Sequence, residues 1–219
     1  MSKITPSKPL LVILYGYPGA GKSHFGRQVK LSMPAAYINS DELRYQLFEH
    51  PRYEQREDDI VEHLMNYMTK EFLAADVSVI YDINAIRLSQ RRALRDTARK
   101  AGAESVLLWF QIDADSAFAR VSKRDRRKTE DRFATPYDKP GFEAEIQKMQ
   151  NPHNEDYVVV SGKHTFNTQR SALVKRLYEM GLIGAENASA HVIKPGLVNL
   201  VPNPSAGRVD VSRRNIVIR

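Results

Sequence analysis

The chain has 219 residues, with 33 Lys and Arg against 26 Asp and Glu and no cysteine. That length suffices for one α/β domain with additions, and an apolar share of 42% excludes global disorder. The lack of cysteine excludes disulfides, thiolate metal sites and cysteine nucleophiles, while the net charge of +7 suits anionic partners such as nucleotides, nucleic acid or an acidic surface.

Residues 1–9, "MSKITPSKP", read as a leader. No secretory signal is visible and no run approaches ~18 apolar residues, so a cytoplasmic chain with no membrane partner is expected. "LLVILY" (Leu10 to Tyr15) is a short continuous apolar run, as expected of a buried parallel strand. It enters "GYPGAGKS", a G-x-x-x-x-G-K-S phosphate-binding loop. Gly16, Pro18, Gly19, Ala20, Gly21, Lys22, Ser23 and His24 are therefore the candidate nucleotide-binding residues. Glycines let the backbone turn its N–H groups toward phosphate oxygens, and the helix beginning near Gly21 adds the positive end of its dipole. In this motif Lys22 reaches the β- and γ-phosphates and the Ser23 hydroxyl ligates Mg²⁺. "KSHFGRQVKL" reads as the helix that follows, with Phe25, Val29 and Leu31 facing inward.

"AAYIN" (Ala35 to Asn39) reads as a second strand, and "SDELRYQLFEH" as a helix capped by Ser40 or Asp41 and ended by Pro51. "YEQREDDIVEHLMNYMTKEFLAAD" is a long helix whose Ile60, Val61, Leu64, Met65, Met68, Phe72 and Leu73 form one apolar stripe. "VSVIYD" is a third strand, "SQRRALRDTARKAG" a helix closed by Gly102, and "ESVLLWFQID" a fourth strand. "ADSAFARVSKRDRRK" reads as a helix that turns basic, with Arg120, Arg124 and Arg127 on one face. The pattern breaks from about 129 to 152, and the basic stretch from about 124 to 152 fits a lid over a nucleotide, a solvated charge run or an RNA-contacting patch. "DYVVVSG" is a fifth strand and "TQRSALVKRLYEMG" a closing helix. Residues 185–219 form a basic tail, in which "RVDV" and "NIVIR" alternate like hairpin arms.

Alternating strands and helices imply a parallel sheet covered on both faces, with ligands at the carboxyl ends of the strands. Asp41 and Asp82 fall at such ends. Asp41 suits a base that takes an alcohol proton, although it also suits a plain N-cap; Arg44 lies one helical turn on. Asp82 suits water-mediated contact with Mg²⁺ or the orientation of Arg44. Ser23, Asp41 and Asp82 are thus the candidate metal residues.

"GYPGAGKS", the D-x-x-R of Asp41 and Arg44, the D-x-N of Asp82 and Asn84, and the R-x-x-x-R of Arg120 and Arg124 occur in that order. Together they resemble the P-loop kinase family that contains phage-type polynucleotide 5′-kinase and zeta-toxin-like proteins, over roughly Leu10 to Leu177. The resemblance implies a P-loop NTPase three-layer sandwich around a five-stranded parallel sheet, spanning residues 10–184 with its lid at about 124–152. It implies ATP and Mg²⁺, Asp41 as general base, Arg44 as an acceptor contact, Asp82 and Asn84 on the acceptor side, and Arg120 or Arg124 as the lid arginine. Lys22, Asp41, Arg44 and Arg124 are then the catalytic set. His24 stands where such kinases more often carry threonine. The implied acceptor is a hydroxyl on nucleic acid, a nucleoside, a sugar or an antibiotic-like molecule. An ATP-binding switch or RNA-associated module is the alternative.

Overall fold

The computed structural model describes residues 3–83, 87–129 and 131–192. Along the chain these form β1 (Leu10–Gly16), α1 (Lys22–Ser32), β2 (Ala35–Asn39), α2 (Ser40–Leu47), α3 (Gln55–Ala74), β3 (Ser78–Asp82) and α4 (Leu88–Lys100). There follow β4 (Glu104–Gln111), α5 (Ala114–Ser122), α6 (Lys139–Lys148), β5 (Val158–Ser161), α7 (Phe166–Glu179) and α8 (Ala185–His191).

The five strands make one sheet in the order β2-β3-β1-β4-β5, and all the pairings are parallel. β1 lies in the middle, with Leu11 opposite Val79 of β3 and Leu10 opposite Glu104 of β4. Side chains alternate across a strand, so β1 serves two cores. Leu10, Val12 and Leu14 pack with Phe25 and Val29 of α1 and with Leu173 and Leu177 of α7. Leu11, Ile13 and Tyr15 pack with Val61 and Met65 of α3 and with Leu94 and Ala98 of α4. This is the expected three-layer α/β sandwich. No helix among the described residues is long and apolar enough to cross a membrane.

Several local expectations change. Leu31 is 75% exposed, because Phe25 and Val29 already fill the inner face of α1. α2 is capped by Asn39, whose side chain accepts from Glu42 N at 2.9 Å, not by Ser40 or Asp41. α5 ends at Ser122, short of the basic run. Residues 3–9, read as a leader, are tied to the domain: Ile4 is fully buried, Ile4 N donates to Ser32 O, and Ser7 N donates to Leu182 O. Residues 185–191 of the stretch read as a tail are helical and pack on α7, with Ala188 in the core. The hairpin reading of "RVDV" and "NIVIR" lies outside the described residues.

Candidate active site

β1 enters the loop at the sheet's centre, where its neighbours β3 and β4 carry the chain to opposite sides. That is the switch point at which α/β folds bind ligands. Gly21, at φ +97°, begins α1 with no side-chain cap, which leaves the first N–H groups of an eleven-residue helix for an anion. Gly19 has φ +84°, and a Cβ there would lie 2.4 Å from the Ala117 carbonyl of α5, so only glycine fits. Lys22 folds back over the loop, donating from Nζ to Gly16 O at 2.6 Å and to Tyr17 O at 3.0 Å. Burial pushes its ammonium down to about 8. Ser23 and His24 line the cleft in front of the loop, with Pro18, Gly19 and Gly21. Gly16 and Ala20 are buried.

The cleft holds about 870 Å³, within the usual range for a small-molecule site. Asp41 and Asp82 face it together. Asp82 ends β3 opposite Asn39 of β2, and its Oδ2 accepts from Asn39 Nδ2 at 2.6 Å and from the Tyr37 hydroxyl. Burial and this carboxylate raise the Tyr37 phenol far above its ordinary value, so it remains a donor. Asp41, in the first turn of α2, accepts from the Thr135 hydroxyl at 2.8 Å and from Thr135 N at 3.3 Å. Burial raises the Asp41 carboxyl above the usual carboxylate range; the Thr135 hydroxyl opposes the shift and the nearby Asp82 adds to it. A carboxyl raised by burial and facing a cleft is a candidate for proton transfer.

Arg120 and Arg124 also line the cleft. Arg120 leaves α5 and donates to Gly162 O at 2.8 Å, in the turn after β5. Arg124 lies beyond the helix and donates to Thr135 O at 3.3 Å. Arg127 borders the same space, where basic side chains outnumber acids, as a polyphosphate requires. Arg44 is not brought to this cleft. It is 6% exposed and pairs with Glu57 at 3.0 Å and with Asp58, at the start of α3. Asn84 lies outside the described residues.

Tyr37, Asn39 and Thr135 escape the sequence reading. Tyr37 and Asn39 sit two apart on a strand, hence on one face, and that spacing was the available signal. Thr135 carried none, because the contact joins residues 94 positions apart.

The residues present fit a magnesium nucleotide. Glycines open the loop, a lysine and a helix start face the phosphate position, and Ser23 supplies a hard oxygen beside two carboxylates. Among the described residues no group of three His, Cys, Asp or Glu could hold a metal by itself. Mg²⁺ is usually held by one or two carboxylates together with phosphates and water.

Comparison with known proteins agrees with the geometry. Residues 11–139 match the AAA_33 family model, described as an AAA domain. The L-seryl-tRNA(Sec) kinase of Methanococcus maripaludis is 25% identical over 132 residues, which cover 59% of this chain and 52% of that protein. The match thus spans about half the length of that curated relative. A putative kinase from Chloroflexus aurantiacus has a similar structure, with a TM-score of 0.62 and 12% identity over 80% of this chain and 98% of its own. A gluconokinase from Sinorhizobium meliloti gives 0.58 and 17%, over 83% and 97%. With its phosphate loop, switch-point cleft and parallel sheet in place, this chain belongs to the AAA_33 family of P-loop proteins and has the fold of P-loop kinases.

Proposed function

We propose that the protein is an ATP-dependent phosphotransferase that moves the γ-phosphate to an alcohol, with Asp41 as the base. The observation that carries this reading is Asp41 itself: a raised carboxyl, in the cleft of the phosphate loop, hydrogen-bonded to a hydroxyl. Phosphoryl transfer needs positioning and charge stabilisation more than covalent chemistry. Lys22 exchanges the carbonyls of Gly16 and Tyr17 for phosphate oxygens. Gly19, Gly21 and the first N–H groups of α1 hold the phosphates. Arg120 and Arg124 neutralise charge on the transferring group, and Asp41 orients the acceptor hydroxyl and receives its proton. Ser23 and Asp82 would hold Mg²⁺, directly or through water, and the ion when bound supplies positive charge to the β- and γ-phosphates. Residues 10–184, together with the packed segments 3–9 and 185–191, form the catalytic domain, and residues 124–152 form its lid.

The acceptor is a hydroxyl-bearing molecule. The curated relative is named for a seryl-tRNA and a structural neighbour for gluconate, so nucleic-acid-borne and free small alcohols both belong in a test. The experiment is transfer of label from γ-labelled ATP to RNA and DNA with free 5′-hydroxyls, seryl-tRNA, nucleosides, sugars and aminoglycosides, with Asp41→Asn beside the parent. Transfer to one class should fall about 100-fold or more in the variant, with ATP affinity retained. Label released only as free phosphate, equally in both proteins, would remove Asp41 from the mechanism and favour an ATP-binding switch.

A further inference from the structure

The lid brings its own alcohol to Asp41. Thr135 Oγ1 donates to Asp41 Oδ1 at 2.8 Å, and Thr135 N donates to Oδ2 at 3.3 Å. Thr135 and Asp41 line the same cleft as Lys22 and Ser23. Other hydroxyls also line it, those of Ser40, Thr129 and Tyr137, but the bond to Asp41 is made by Thr135. The loop is fastened in this position from several directions. Arg124 donates to the Thr135 carbonyl, the Phe133 ring lies 5.4 Å from that of Tyr45 on α2, and the Arg126 guanidinium covers the Tyr45 ring at 5.4 Å. Thr135 therefore has what an acceptor requires: a hydroxyl on the base, inside the phosphate cleft, held there by its surroundings. Tethering adds a high effective concentration that a free alcohol must overcome.

We propose that Thr135 is a phosphorylation site for the protein's own nucleotide. In the absence of a competing alcohol, Thr135 Oγ1 attacks the γ-phosphorus of ATP bound to the same chain. The Oγ1–P bond forms, the bond from phosphorus to the β–γ bridging oxygen breaks, the hydroxyl proton passes to Asp41, and ADP leaves. The inference rests on the kinase reading with Asp41 as base. Its product is a phosphothreonine of about two negative charges against Asp41. It occupies the acceptor position and closes the cleft to other alcohols. An acceptor that displaces Thr135 from Asp41 protects it, so substrate shields the enzyme from its own inactivation.

The test incubates the full chain with γ-labelled ATP and Mg²⁺ and no acceptor, follows intact mass, and maps the label by peptide sequencing. One phosphoryl group per chain is expected, on Thr135, with a rate constant that does not change when the protein is diluted. Thr135→Ser should retain the label and Thr135→Val should lose it, each checked for folding by thermal unfolding. Asp41→Asn should slow labelling about 100-fold or more. Label on another residue, or a rate that rises with protein concentration, would overturn the proposal. An unlabelled chain that still phosphorylates an external alcohol through Asp41 would overturn it and leave the kinase reading standing. If neither the chain nor any external alcohol is labelled, both fall together.

Discussion

Asp41 and Arg44 stand one turn apart on α2 yet meet different neighbours: Asp41 meets Thr135, Arg44 the start of α3. Three residues advance about 300° around a helix, so their side chains diverge by about 60°. Glu57 and Asp58 then offer Arg44 the charge that the cleft does not. The D-x-x-R spacing was legible; the acids 13 and 14 positions on, which decide where the arginine goes, were not. Arg44→Met should therefore lower the melting temperature by several degrees and leave ATP affinity unchanged. A full loss of phosphoryl transfer at unchanged melting temperature would instead restore Arg44 to the acceptor site. The glycines of the phosphate loop were legible because their spacing is a backbone requirement. Gly19→Ala should abolish ATP binding, as measured by calorimetry. Gly102→Ala, also at positive φ but with no neighbouring atom within 4 Å, bears only the backbone cost and should bind normally.

Helix and strand order emerged from periodicity, whereas helix ends depended on side-chain chemistry that periodicity ignores. α5 stops because "KRDRRK" crowds like charges and because Asp125 Oδ1 accepts from Arg127 N, which turns the chain out of the helix. The irregular stretch after α5 thus starts earlier than the apolar pattern suggests, and its far end is anchored on α4. Arg91, 1% exposed, donates to both carboxylate oxygens of Glu155 and to Gln150 O, while its guanidinium lies 5.0 Å from the Tyr15 ring. Arg95 reaches Glu155 Oε2 at 2.7 Å. Burial alone would raise the Glu155 carboxyl; the two guanidiniums outweigh it and hold it below its ordinary value of 4.5. Its contribution is therefore complete above about pH 4.5 and lost as the pH falls through the lowered value. Glu155→Gln should cost about 3 kcal/mol at neutral pH. In denaturant titrations that deficit should shrink as the medium is acidified below pH 4. An equal deficit at both pH values would show that packing, not charge, is responsible.

The sandwich as a whole was readable because continuous apolar strands alternating with amphipathic helices have few other ways to bury both faces. Its edges were less readable, since short polar stretches such as residues 3–9 gain order only from what they meet. Ile4 is fully buried, Asn187 Nδ2 donates to Lys3 O at 2.9 Å, and the segment therefore ties α8 to the end of α1. Ile4→Ala should destabilise the domain by about 3 kcal/mol, measured by chemical denaturation, with ATP binding retained in the folded fraction.

The central position of β1 has a consequence for how the chain is made. Both partners of that strand, β3 and β4, come off the ribosome long after it, and Leu10 must await Glu104. At about 5–20 residues per second the gap is on the order of ten seconds. Until β3 is made "LLVILY" has neither neighbour, and until β4 is made it has one, so an apolar hexamer of the kind that aggregates stays partly unpaired. The nucleotide cradle, first in sequence, is among the last parts to be finished. A bound nucleotide can therefore stabilise the chain only after β4 has emerged and the central strand is paired on both sides.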